Sequence, residues 1–215
     1  MQTIKILAVC AVGASLLTGC FTMSREEVAK EYERLTSLPP AARILSPCKP
    51  VDDVARASYD LFNFVQPLLK EYVAATTNHR EYTGFMNDVQ FVMKDENLSR
   101  EEAMKKVVAT ILEEDKARAE ADKVWPKVMI GWQAADALDP VKKLAEIARL
   151  ALRNQEIVKS AKALPKAFDN EDLMSKAQRG AECYKILGQL AESAECLGFL
   201  GEQYRRVQLL KNYRK

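Results

Sequence analysis

A chain of 215 residues with 32 basic and 30 acidic side chains, a formal net charge of +2, is long enough to bury a sizeable core as one domain. The near balance of charge implies neither nucleic acid nor a strongly acidic partner, and no nucleic-acid role is expected. Gly and Pro number only 8 each while Ala, Glu, Lys and Leu abound, a composition that favours long helices.

The first nineteen residues hold one base, Lys5, then an apolar run from Ile6 to Leu17 broken only by Gly13 and Ser15. That run falls short of the roughly 20 apolar residues a membrane-spanning helix needs, so residues 1–19 read as a secretory signal peptide. Leu17-Thr18-Gly19-Cys20 closes it. An aliphatic residue, two small residues and a cysteine resemble the lipobox of bacterial lipoproteins, in which the thiol accepts a diacylglyceryl group and the amine freed by cleavage is acylated. The resemblance implies that Cys20 becomes a lipidated N-terminus, that its partner is the lipid bilayer, and that the body faces the periplasm. Two or three acyl chains, at about 0.8 kcal/mol per buried methylene, make such an anchor effectively permanent. Phe21 follows the cysteine where an inner-membrane retention signal would place aspartate, which directs the expectation to the outer membrane. Removing residues 1–19 takes away Lys5 and no acid, so 32 bases become 31 against 30 acids, a net charge of +1.

Ser24 with Glu27 forms a capping box that opens a first helix from 25 to about 37, before Pro39-Pro40. Residues 20–50 are thus a lipidated N-terminus, a short helix and a proline-rich loop, and residues 51–215 a helical domain. Val51, Val54, Leu61, Val65, Leu68 and Tyr72 recur at helical steps to about residue 76, with Pro67 expected to kink that helix. After a turn at Thr76 to His79, a shorter helix carries Phe85, Val89 and Met93. Ser99 and Glu102 form a second capping box before a helix whose buried stripe is Met104, Val107, Val108, Ile111 and Leu112. The charged run from Glu113 to Lys123 reads as a solvated helix face, and Trp125-Pro126 as a break or bend. Trp125 and Trp132 lie seven residues apart and read as core anchors, with a groove lining as the alternative. Asp139 before Pro140 starts a helix with Val141, Leu144, Ile147, Ala148, Ala151 and Val158 on its apolar side, ended by Ala163-Leu164-Pro165. Asn170 is expected to cap the last helix, from Glu171 to about Tyr213. No strand-like alternation persists, so the fold class is all-α, an irregular bundle of about five to seven helices.

Within the last helix, Ala181-Glu182-Cys183 is echoed thirteen residues later by Ala194-Glu195-Cys196, copies that point to different sides of one helix. Gly180, Gly188, Gly198 and Gly201 lie on the same stretch, although glycine inside a helix costs about 1 kcal/mol. Either a neighbouring backbone approaches closely there, or the helix breaks near Gly188 to Ser193 into a hairpin. The second question decides the cysteines. Apart from Cys20, the mature chain keeps Cys48, Cys183 and Cys196, an odd number for an oxidising compartment. On an unbroken helix Cys183 and Cys196 are about 20 Å apart, beyond disulfide reach, which leaves Cys48 in Ser46-Pro47-Cys48-Lys49-Pro50 as the partner of one or the other. A hairpin would join Cys183 to Cys196, and three unpaired thiols remain the alternative.

Catalytic chemistry finds little support in the sequence. The single histidine, His79, lies in a polar turn, so two-histidine zinc motifs are excluded, and neither a Cys-x-x-Cys pair nor a phosphate-cradling glycine loop is present. No cofactor or metal is expected. Muramidase-type lipoproteins use a carboxylic acid as general acid and base, and the Glu-Ser and Gly-Leu-Met-Gln type segments of those enzymes are absent. The remaining roles are an adaptor that contacts another envelope protein and a spacer tied to peptidoglycan. For the spacer, the ending Tyr213-Arg214-Lys215 resembles that of the major murein (Braun's) lipoprotein, which implies Lys215 as the amine joined to peptidoglycan and Tyr213 and Arg214 as its recognition context. That family is otherwise far shorter and a single continuous heptad helix.

Overall fold

The computed structural model describes residues 25–168 and 172–214. They form seven helices and, among the described residues, no strand: α1 (Arg25–Thr36), α2 (Lys49–Thr76), α3 (Arg80–Asp95), α4 (Arg100–Lys116), α5 (Val124–Asp136), α6 (Pro140–Ala163) and α7 (Leu173–Leu210). The all-α irregular bundle read from the sequence is the observed architecture. No helix among the described residues is long and apolar enough to cross a membrane.

Local chemistry starts two helices where the sequence says it should. Ser99 Oγ accepts from the Glu102 N–H at 3.3 Å while the Ser99 N–H donates to Glu102 Oε2 at 2.9 Å, the reciprocal pair of a capping box. Asp139 caps α6 through its carboxylate and the Lys142 N–H, with Pro140 in the first turn, where a missing N–H costs nothing. Pro67 lies inside α2 without ending it. The capping box at Ser24 and the Asn170 cap fall outside the described residues. The cap of α7 is Asp172, whose carboxylate accepts from the Met174 and Ser175 N–H groups at 2.9 and 3.0 Å, so the helix starts at Leu173. It ends at Leu210 in a short 3-10 turn, Lys211–Tyr213.

α7 is the axis of the bundle. Ile186, Leu190, Ser193, Leu197, Leu200, Tyr204 and Val207 are buried at alternating four- and three-residue steps, and Gln189, Cys196, Gln203 and Leu210 form a second buried column beside them. α2 and α6 flank this wide face, and α4 and α5 close it further along. From α2 come Val51, Val54, Leu61, Val65, Leu68 and Tyr72, all buried as their spacing required. Leu35 of α1 is 2% exposed and joins the same core, so residues before 51 pack onto the helical body.

Four expectations need correction. The charged run from Glu113 is not one solvated face: α4 ends at Lys116, a 3-10 turn occupies Glu120–Asp122, and Asp115 turns inward. Trp125-Pro126 begins a helix instead of breaking one, because Pro126 falls in its first turn where N–H groups have no helical acceptor. Leu112 is 43% exposed, outside the buried stripe of α4. Val141 and Ala148 face outward on α6, whose buried side is Ile147, Leu150, Asn154, Ile157 and Ala161.

α7 runs unbroken through Gly188 and Ser193, so the hairpin is excluded. Its glycines do not admit a close neighbour either: a Cβ at Gly180, Gly188 or Gly198 would meet nothing, and at Gly201 only Ile147 at 3.7 Å. The close approach is at Gly131 of α5, where a Cβ would collide with Tyr82 Cβ and lie 2.7 Å from His79 Cβ. His79 thus belongs to a tight helix crossing at the start of α3.

Candidate functional site

The chain segment Ser46 to Cys48 lies across the N-terminal half of α7. Ser46 Oγ donates to Glu182 Oε2 at 2.5 Å, and Arg179 reaches both Ser46 Oγ at 3.2 Å and Glu182 Oε1 at 2.7 Å. The Cys48 N–H donates back to Ser46 Oγ at 3.3 Å, which fixes Cys48 as the residue preceding α2. Burial pushes the Glu182 carboxyl up, but its bonds to Ser46 and Arg179 more than offset this and its pKa is lowered. Cys183 follows Glu182, half-buried on the same stretch. Burial pushes its thiol pKa up, with further contributions from Glu182 and from Cys48. Cys196 lies elsewhere, buried beside Glu195, whose carboxylate binds Arg34 of α1 at 2.7 Å. Burial pushes the Cys196 thiol up to about 12.

A second polar cluster is built around a buried cation. Arg206 is fully buried and donates to Met86 O at 2.8 Å, to Glu202 Oε1 at 3.0 Å and to Gln90 Oε1. Arg100 clamps the same Glu202 in bidentate fashion at 2.7 and 2.6 Å. Burial raises the Glu202 pKa, the two guanidinium groups lower it further than that, and the carboxylate stays ionised. Tyr72 donates to Gln203 Oε1 at 3.1 Å nearby. The two guanidinium groups share one carboxylate, Met86 O and Gln90 Oε1 accept from Arg206 as well, and the arrangement ties α3, α4 and α7 together.

The surface offers three features. Between α2 and α6 runs an open groove of about 360 Å³ lined by Asp53, Val54, Ala57, Glu156, Ile157 and Ser160. Along α6, Val141, Ala145, Ala148 and Leu152 are all exposed. Their four-three-four spacing puts them on one outward stripe, a seam of the kind a second helix packs against. Val141 and Leu152 are 64% and 62% exposed, and Arg153 lies over the exposed Phe64 ring at 5.4 Å. The third is a shallow recess of about 260 Å³ between α3 and α4 over Phe85, Ile111 and Val124, rimmed by Glu81, Asp88 and Glu114. Among the described residues no group of three or more His, Cys, Asp or Glu is arranged to hold a metal ion.

Cys20 and Lys215 lie outside the described residues. The tail leading to Lys215 is folded against the body: Tyr213 packs on the core, the Arg214 guanidinium stacks over Trp132 at 4.9 Å, and Lys211 pairs with Asp136 at 3.0 Å. Trp132 is a core anchor, fully buried with its indole N–H on Val207 O at 2.9 Å. Sequence reasoning missed the α6 seam, the Arg206 cluster and the Gly131 crossing. For the seam a signal existed in the spacing of Val141, Ala145, Ala148 and Leu152, masked by the equally apolar opposite side. The fold and these surfaces define an irregular all-α bundle. No protein-family model, curated protein or solved structure matches the chain.

Proposed function

We propose that this chain is a bacterial envelope lipoprotein, anchored through acylated Cys20 in the periplasmic leaflet of the outer membrane, whose helical body acts non-catalytically by contact with another envelope protein. The observation that carries it is Leu17-Thr18-Gly19-Cys20 at the end of a short apolar run. The α6 seam supports the contact role: an exposed apolar stripe on an otherwise charged helix is the feature an adaptor surface needs. For a peptidoglycan link at Lys215, the tail gives less support, because Tyr213 and Arg214 are engaged by the body.

The test is to grow cells with an alkyne fatty acid and follow the protein. Wild type takes up the label and floats with outer-membrane density, whereas Cys20→Ser loses both. A labelled, membrane-bound serine variant overturns the anchor. For the body, a photo-crosslinking residue at Leu152 should trap a specific neighbour that one at exposed Lys105 does not, and equal trapping at both positions removes the seam as the contact surface.

A further inference from the structure

The sequence left Cys48 with two candidate partners, and the fold separates them. An unbroken α7 places Cys183 and Cys196 about 20 Å apart. Cys196 sits at the α1 crossing, beside the Arg34 to Glu195 ion pair. Cys183 immediately follows Glu182, whose carboxylate holds Ser46, two residues before Cys48. Arg179, one turn earlier, holds the same serine. Both cysteines pack half-buried against the same core. A three-way polar clamp therefore brings the backbone around Cys48 onto the turn of α7 that carries Cys183, before any covalent bond exists.

We propose that Cys48 and Cys183 form a disulfide that staples the segment before α2 to α7, with Cys196 remaining a thiol. Cys48 contributes to raising the Cys183 pKa, in line with their closeness. Joining the thiols releases two protons and two electrons, which a disulfide donor accepts. One cysteine thiolate attacks a donor sulfur, forming a mixed disulfide and expelling the first donor thiolate. The second cysteine attacks the mixed disulfide, the Cys48 to Cys183 bond forms, and the second donor thiolate leaves. The two protons lost by the cysteines go to the two donor thiolates.

The proposal is independent of the lipid anchor, because the oxidant is supplied in the tube. Folded full-length protein is treated with oxidised glutathione, alkylated, and digested without reduction. The expected products are one peptide pair joined through Cys48 and Cys183, and Cys196 alkylated only after unfolding. Cys196→Ser leaves the linked pair unchanged. In the oxidised protein Cys48→Ser and Cys183→Ser each lower Tm by about 5–15 °C, the double variant falls no further, and dithiothreitol abolishes the difference from wild type. Recovery of Cys48 joined to Cys196 overturns the proposal. So does recovery of Cys48 and Cys183 only as free or glutathione-capped thiols after oxidation of the folded protein.

Discussion

Asp115 shows how much one side chain in a charged run can do. It is 5% exposed, and its carboxylate accepts from the Val124 N–H at 2.9 Å and the Trp125 N–H at 2.7 Å while Arg118 donates at 2.7 Å. One residue near the end of α4 thereby caps the start of α5. Asp115→Ala leaves two backbone donors without an acceptor, and we expect a loss of about 1–3 kcal/mol, read as a lower urea midpoint. Burial raises the carboxyl pKa, but the two backbone bonds and Arg118 outweigh it and the pKa lies below the ordinary 3.8. A depressed folded pKa means that this stability is fully present above 3.8 and is lost as pH falls from there through the folded value. The gap between wild type and variant should hold constant from pH 7 to 5 and narrow below 3.8; a gap that widens in acid contradicts the assignment. Arg206 makes the complementary point. It is sealed inside, and although its counter-charge Glu202 lies one turn earlier on the same helix, no local pattern announces its acceptors on α3, Met86 O and Gln90 Oε1, or the Arg100 of α4 that shares the Glu202 carboxylate.

At the scale of elements, what was legible depended on how local the cause was. The Ser99 capping box and the Asp139 to Pro140 start need only neighbouring residues, and both stand where the sequence put them. The stripe of α2 was equally legible, because one face is apolar and the other is not. α6 defeated the same reasoning: with Val141, Ala145, Ala148 and Leu152 on one side and Ile147, Leu150 and Ile157 on the other, periodicity cannot say which side meets the core. For the cysteines the sequence narrows a pairing only to Cys48 with Cys183 or Cys196, and the proposed choice of Cys183 rests on the Ser46 to Glu182 bond, a tertiary contact. Glycines divide in the same way. Those on α7 at 180, 188 and 198 face open space. Replacing Gly188 or Gly198 with Ala should therefore raise stability by about 0.5–1 kcal/mol each, through lower chain entropy in the unfolded state and better helix propensity. Gly131→Ala drives a methyl into Tyr82 and His79 and should cost about 1–3 kcal/mol. Thermal melts of the single variants check both, and a stabilised Gly131→Ala would mean that α3 and α5 do not cross there.

For the whole molecule, the decisive fact is the position of α7 in the chain. This 38-residue helix, about 57 Å long at 1.5 Å per residue, packs against α2, α4, α5 and α6 and reaches α1 through Glu195 and α3 through Arg206. A fragment ending at Asp172 keeps six helices but loses the surface on which they meet. We expect it to melt without a cooperative transition and to be cut rapidly by trypsin, and a separately made peptide of residues 173–215 should restore protection. A cooperative melt of the fragment alone would show that the six helices have a core of their own.

Nearness in space and nearness along the chain part company in this bundle. Ser46 meets Glu182 across 136 positions and Arg34 meets Glu195 across 161, so the first described helices close on the last. Contacts of that separation are reached only after a long loop has been closed, and the entropy of closure comes before the contact repays it. The molecule should therefore fold more slowly than a bundle of equal helix content whose neighbours in space are also neighbours in sequence.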